Sequence, residues 1–522
     1  MLTSYAPNGA VAAANDLAAA AGAHLLASGG NAVDAALATA AVMAVVAPHM
    51  CGLGGDMFAI VKPRYSPPVA VNGSGRAGSG ADAERLRASG LTEMPFRHLV
   101  SSVTVPGCVA GWAALHERFG SRGLEETFAR ACRLARDGFA VSPTLARASL
   151  ELDARVRQSA FGSTEALHCG HRLARPQLAE ILDAVAERGS AGFYEGRPGT
   201  ALIALGAGEF IEDDLAAAQA DWVKPLMLHA LGHDLWTVPP NSQGYLALAG
   251  AWIAERLELP GDPRGEEWAF MLIEAARQAA YDRQEVLHER ADGAALLAES
   301  RLATRVGAVG AAAARGFAEA YRDGGTTHIC AVDGDRTGVS LIMSNAADFG
   351  SHLTLPDLGI FLHNRGIGFS LRPGHPAEYG PRRRPPHTLS PLLATSQSGA
   401  LAAVLGTMGA DAQPQILLQL LVRMFSLGKS PGEALAAPRW ILSRTDTTGF
   451  DVWRRDGPPL VRVEHGAPGA WASGLRARGY PVKEAAPGDQ AFGHAQVIRV
   501  AEDDLLAGSA DPRAGNGAFV GL

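Results

Sequence analysis

The chain has 522 residues, 47% of them hydrophobic and 19% charged, with a formal net charge of −7 from 46 basic and 53 acidic side chains. That composition excludes a disordered chain and gives no general attraction to nucleic acid or to an anionic membrane surface. It supports an extensive core, and length alone predicts more than one domain. Five cysteines (Cys51, Cys108, Cys132, Cys169, Cys330) contain no CxxC pair, which suits a reducing compartment rather than a disulfide framework. The N-terminus lacks a basic n-region, and the apolar run 35–46 is too short to cross a bilayer, so the expectation is a soluble cytoplasmic protein. His168, Cys169 and His171 read as a surface loop, with no partner cluster to make a metal site. The run Arg382, Arg383, Arg384 reads as a solvated loop or a local anion contact.

In chain order, the Ala-rich stretch from Gly9 to Ser28 has helical spacing, with Gly29-Gly30 as its C-cap. Asn31 caps a second helix over 32–46. Gly52, Gly54 and Gly55 then allow close backbone approach ahead of Asp56. Strands follow at 57–62 and 69–71, and Arg76 after them is either a carboxylate clamp or a surface ion pair. A strand-to-helix passage covers 103–112. From there to about Leu302 the pattern is mainly helical, broken by a short strand near 237–248. An Ala- and Gly-rich segment, 301–321, leads into Asp323-Gly324-Gly325. Beyond it come a short strand at 359–364, a Pro-rich loop ending in Pro386-His387-Thr388-Leu389-Ser390-Pro391, and a strand at 401–405. The turn Gly406 to Asp411 opens a helix whose apolar face is Ile416, Leu417, Leu420, Leu421, Met424 and Phe425. A last strand covers 495–500.

The chemistry concentrates at Gly325-Thr326. Residues 326–332 alternate and are rich in β-formers, a turn-rich segment follows, and a second apolar run covers 339–345. A hairpin closing Val332 on Val339 pairs Thr327 with Ser344 and Thr326 with Asn345. Cleavage of the Gly325–Thr326 bond would free an α-amine, of reference pKa about 8, beside the Thr326 hydroxyl, where it can act as that hydroxyl's base. Backbone N–H groups at the turn holding Gly409 and Ala410, on a positive helix end, make a natural oxyanion site. By itself the local spacing favours an ordinary buried hairpin with two threonines chosen for β-propensity, and the rest of the chain reverses that reading.

Several stretches together resemble the gamma-glutamyltranspeptidase family of N-terminal-nucleophile hydrolases, in the same order across nearly the whole chain. They are Gly29-Gly30-Asn31-Ala32-Val33-Asp34-Ala35-Ala36, Gly52-Leu53-Gly54-Gly55, Val105-Pro106-Gly107, Thr326-Thr327-His328, Phe349-Gly350, Leu389-Ser390-Pro391, the 406–410 loop and Asp511-Pro512-Arg513. The resemblance implies an α+β fold, a four-layer αββα sandwich built from a precursor that cuts itself before the threonine. Residues 1–325 would form the large subunit and 326–522 the small one, with a dimer of heterodimers open to it, and with no metal or cofactor. Position by position it makes Thr326 the nucleophile, Ser344 the hydroxyl near its amine, and Gly409 and Ala410 the oxyanion pair. His387 and Thr388 fall where the family sets paired serines against the substrate carboxylate.

The departures from the family concern the amino-acid clamp. The aspartate for the substrate amino group falls at Gly368, and its Gln or Glu neighbour at Arg365. The asparagine near the nucleophile is replaced by Ala346 or displaced to Asn345. The arginine for the α-carboxylate falls at Ser74, with Arg76 two residues on. The loop from Phe369 to Arg384 looks too short for a lid. Arg76, Arg365, His387 and Thr388 are thus the expected substrate contacts. The expected activity is hydrolysis of a small carboxylated acyl amide, oxamate-like or a dicarboxylic monoamide. The alternatives are a γ-glutamyl hydrolase or transferase acting on glutathione, and a non-catalytic ligand-binding relative.

Overall fold

The computed structural model of the chain describes residues 3–310, 324–443 and 460–522. Its frame is two seven-stranded antiparallel sheets. Sheet I runs in the order Ala518–Gly521, Ala10–Ala13, Gly324–Val332, Gly338–Ala347, Asp56–Lys62, Val69–Gly73, Asp221–Val223. Sheet II runs Ser4–Ala6, Leu506–Ala510, Ala495–Val500, Leu401–Thr407, Leu392–Thr395, His233–Thr237, Leu226–Ala230. Strands from before and after Gly325 interleave in both sheets.

Period-two alternation decides what each strand faces. In Gly324–Val332, Ile329 and Ala331 join the apolar cluster built with helices Asp16–Ala27, Ala32–Val46, Cys108–Phe119 and Leu124–Asp137. Cys330 and Val332 point the other way, into a cluster with Leu401, Val404, Ile498 and Leu506 of sheet II. A second inter-sheet cluster joins Phe58, Ile60 and Ile342 to Leu389 and Leu393. The far face of sheet II packs on helices Tyr245–Arg256, Glu266–Ala280 and Gln413–Leu421.

Three sequence expectations change. Ala10–Ala13 is a strand, not the start of a helix, because it pairs with Ile329–Val332 on one side and Ala518–Gly521 on the other. Tertiary pairing overrides alanine's helix propensity there. The helix begins at Asp16, where Asn15 Oδ1 accepts from Leu17 N at 3.0 Å and Ala18 N at 3.3 Å. The region expected to be mainly helical holds a short pair, Phe139–Ala140 with Arg172–Leu173, and three strands, Asp221–Val223, Leu226–Ala230 and His233–Thr237, which carry the chain from the edge of sheet I to the edge of sheet II. The central hairpin closes Val332 on Gly338, one residue earlier than expected. Asp333 tightens that turn, its Oδ1 accepting from Asp335 N and Thr337 N. Gly29, at φ 84, and the Asn31 cap stand where the sequence put them, and Asp34 completes a capping box with Asn31. Of the segment 301–321, Glu299–Gly307 covers the start as helix, and 311–323 lie outside the described residues.

Candidate active site

A bulge borders the site. The hairpin register slips between Gly325, opposite Ala346, and Thr326, opposite Ser344, so Asn345 is the extra residue and Ala346 adopts φ 70. The register that runs unbroken from Val332–Gly338 sets Ser344 opposite Thr326, with its Oγ 2.8 Å from Thr326 Oγ1. Ser344 Oγ also donates to the carbonyl oxygen of Gly325 at 2.7 Å and accepts from Ala346 N at 2.8 Å. The residue before the threonine has to be glycine, since a Cβ there would lie 2.5 Å from His49 O and 2.6 Å from Ala347 O.

Arg365 enters this group from a short 3₁₀ turn, Arg365–Gly368. Its Nη2 donates to Ser344 Oγ at 3.2 Å, its Nη1 to Thr388 Oγ1 at 3.1 Å, and its Nε to Asp56 Oδ2 at 2.9 Å. The guanidinium and the carboxylate are both buried. Asp56 Oδ2 also takes His387 Nε2 at 2.7 Å and lies 3.3 Å from His363 Nδ1. Among the described residues Asp56 Oδ1 has no hydrogen-bond partner. Burial works against the Asp56 charge, but Arg365, then His387 and the imidazole hydrogen bonds, hold its carboxyl well below the usual range. Burial, followed by the Arg365 charge, pushes His387 down to about 4 against the pull of Asp56, so the ring is neutral at pH 7. Leu389 N donates to His387 Nδ1 at 3.2 Å, which leaves the proton on Nε2, facing Asp56.

His387, expected beside the substrate carboxylate, has both ring nitrogens partnered inside the protein, by Asp56 and by Leu389 N. Thr388 does reach the group, through Arg365. Arg76 stands outside it: its Nη2 pairs with Asp221 Oδ2 at 2.9 Å, the surface ion pair that was the alternative reading. Ser74, where the family's arginine would fall, is buried and takes Arg384 Nη1 at 2.9 Å, so Arg384 is no solvated loop residue. At Gly368 a Cβ would lie 2.3 Å from Pro386 O, which leaves no room for an aspartate. Asn345 turns away, its Nδ2 donating to Pro48 O at 2.9 Å. In the loop after Gly368, Phe369, Leu371 and Tyr379 pack on Leu86 and Met94, which fixes it against the helix Ala83–Ala88.

The Gly409-Ala410 turn is tied to the same group. Gly409 takes φ 135 and Ala410 φ 45, a left-handed conformation that is costly for alanine. Neither backbone N–H has a partner among the described residues. Buried Gln243 donates from Nε2 to Thr388 O at 3.0 Å and to Ala410 O at 3.1 Å. Hydrogen bonds thus run from Thr326 through Ser344, Arg365, Thr388 and Gln243 to the turn.

A sequence profile of the gamma-glutamyltranspeptidase family matches residues 18–521. The chain belongs to the gamma-glutamyltranspeptidase family. It is therefore an enzyme of the N-terminal-nucleophile hydrolase type. It is 34% identical to the glutathione hydrolase-like YwrD proenzyme of Bacillus subtilis over 97% of each chain, and 33% identical to the oxamate amidohydrolase proenzyme of Klebsiella pneumoniae over 98% of each. The cephalosporin acylase from Bacillus halodurans superposes with a TM-score of 0.89 at 30% identity, covering 100% of this chain and 97% of that one.

Sequence reasoning missed Asp56, His363 and Gln243. A signal existed for Asp56: a carboxylate heading the apolar strand Met57–Val61 needs a buried partner. Gln243 carried none, since its two acceptors are backbone carbonyls far away in sequence. Among the described residues, no group of His, Cys, Asp or Glu is placed to hold a metal ion, and no helix is long and apolar enough to cross a membrane.

Proposed function

We propose that this protein is an autoprocessing N-terminal-threonine amidohydrolase that cleaves a small carboxylated acyl amide, oxamate-like or a dicarboxylic monoamide. The observation that carries the proposal is the contact series Thr326 Oγ1–Ser344 Oγ–Gly325 O, with Arg365 donating to Ser344. Thr326 Oγ1 attacks the Gly325 carbonyl carbon and its proton passes to the Thr326 nitrogen as the C–N bond breaks. Water then hydrolyses the resulting ester. The segments 1–325 and 326–522 become large and small subunits of one αββα sandwich. The helical cluster outside each sheet and the apolar clusters between the sheets support that layering.

In the mature enzyme the freed Thr326 amine acts as base for Oγ1, which attacks the substrate carbonyl. The Gly409 and Ala410 N–H groups receive the oxyanion, Ser344 orients the amine, and water resolves the acyl-enzyme. Departure of the Gly325 carbonyl frees the Ser344 hydroxyl that donates to it, next to Arg365, where a substrate carboxylate would sit. Arg76, neutralised by Asp221, is at most an outer contact. Pro386 O against Gly368 supports a site without the ammonium clamp.

Wild type should run as bands of about 34 and 20 kDa on a denaturing gel, from the segment lengths. Comparison of kcat/KM for oxamate, a glutaryl anilide and a γ-glutamyl anilide tests the substrate class. A second reading, a γ-glutamyl hydrolase acting on glutathione, is favoured by one observation: Asp56 Oδ1, without a partner among the described residues, is an acceptor an ammonium could use. A clear preference for the γ-glutamyl compound would establish that reading over the first.

A further inference from the structure

We propose that Asp56 is a positioning residue for self-cleavage: it holds Arg365 so that the guanidinium strengthens the Ser344 hydroxyl aimed at the Gly325 carbonyl. The inference rests on reading Gly325–Thr326 as the self-cleavage bond.

Ser344 has one proton, and at 2.7 Å it goes to Gly325 O, the oxygen on which negative charge gathers when the carbonyl is attacked. A hydroxyl donates more strongly when its own oxygen accepts from a charged donor. Arg365 Nη2 is that donor. The Ser344 oxygen has only two lone pairs, whereas Ala346 N–H, Arg365 Nη2–H and the Thr326 hydroxyl all converge on it. When Ala346 and Arg365 fill both, the Thr326 hydroxyl is released toward the carbonyl carbon. Arg365 reaches this position because its Nε is held by Asp56 Oδ2, while Nη1 is fixed by Thr388. Asp56 in turn is oriented by His387 Nε2 from the loop before Leu389. The first step is then an acyl shift: the Gly325 carbon bonds to Thr326 Oγ1, its bond to nitrogen breaks, and the hydroxyl proton ends on the amine. The Gly409-Ala410 turn serves the later reaction with substrate, so the protein has separate stabilisers for the two oxyanions.

The test follows precursor loss in freshly expressed full-length chain by denaturing gel and intact mass. Asp56→Asn and Arg365→Gln should each slow cleavage by about ten- to a hundredfold, less than the 10²–10³ typical of a direct oxyanion donor. Arg365→Lys, which keeps charge without the fork, should fall between Gln and wild type. The Asp56→Asn, Arg365→Gln double variant should cleave no more slowly than the slower single one. Hydroxylamine, which cuts esters but not peptides, should leave the slowed precursors intact. Arg64→Gln, a surface pair with Asp335, should cleave like wild type. If Asp56→Asn fails to fold, the two Arg365 variants carry the test. Folded Arg365→Gln cutting at the wild-type rate would overturn the proposal, as would strictly multiplicative effects in the double variant or rapid hydroxylamine cleavage of the slowed chains. These results leave the self-cleavage reading standing. A wild-type chain that stays whole, or Thr326→Ala that cuts, removes that reading and this one together.

Discussion

Two buried polar groups lie two residues apart on the same strand, and only one has the makings of a site. His328 Nε2 is 2.8 Å from Ser340 Oγ, and its Nδ1 is 3.8 Å from Cys330 Sγ, a nucleophile-and-base combination on paper. Yet Ser340 Oγ also contacts Leu405 O at 3.3 Å and Leu392 N at 3.2 Å, and Cys330 Sγ donates to Val404 O at 3.3 Å. Every partner is neutral, and Gly406 packs against the His328 ring. Burial alone pushes His328 down to about 3 and the Cys330 thiol well up, so neither works as base or thiolate at pH 7. The group stitches sheet I to sheet II. At Thr326 the same burial surrounds a charged pair, a carboxylate oxygen without a partner among the described residues and a left-handed Ala346. Charge and backbone strain separate the two, not burial or the presence of a histidine.

The sharpest way to break this comparison is to remove one nucleophile from each group. Thr326→Ala should leave a single uncut chain with amidase activity down by at least about 10³-fold, as expected when a covalent nucleophile is lost. Cys330→Ser should cut and turn over like wild type. Equal losses in both would mean the wrong group has been chosen.

Restoring the family's clamp is a second test. Gly368→Asp should destabilise the protein by about 1–3 kcal/mol through overpacking on Pro386 O, with no gain in γ-glutamyl turnover. A stable variant with raised γ-glutamyl kcat/KM would show that the loop yields.

Acid should act on both groups through histidine. Burial, first among the causes, brings His328 and His49 down to about 3 and His387 and His494 to about 4. These folded-state values lie below the unfolded value of about 6.5, so between them the unfolded chain binds the extra protons. Stability, measured as the urea midpoint, should therefore fall as pH drops from 6.5 toward 4. The depressed Asp56 works in the same direction only below the unfolded carboxylate range, near pH 4. A flat midpoint across that window would contradict the assignment of neutral buried imidazoles. The smallest effect is expected from Ala410→Gly, which should raise stability by about 1 kcal/mol by relieving the left-handed alanine, with activity retained.

Much of the local structure was legible in the sequence because it depends on neighbours. Asn31 three residues before Asp34, Gly29 past a helix end, and the alternation of residues 326–332 are patterns that chemistry makes local. The ordered motifs from Gly29 to Arg513 likewise carried the family. What the sequence could not settle were matters of pairing between distant segments. Ala10–Ala13 is helix-forming by composition, and only the vacant edge of the Ile329–Val332 strand makes it extended. Ser344 faces Thr326 rather than Thr327 because the turn, 333–337, has five residues rather than six, and a slip of one is invisible in a run of apolar residues. Asp56 and Arg365 are 309 residues apart, and His387 reaches the same carboxylate from another loop, because a buried carboxylate must be neutralised by whatever cation and donors the fold delivers to it.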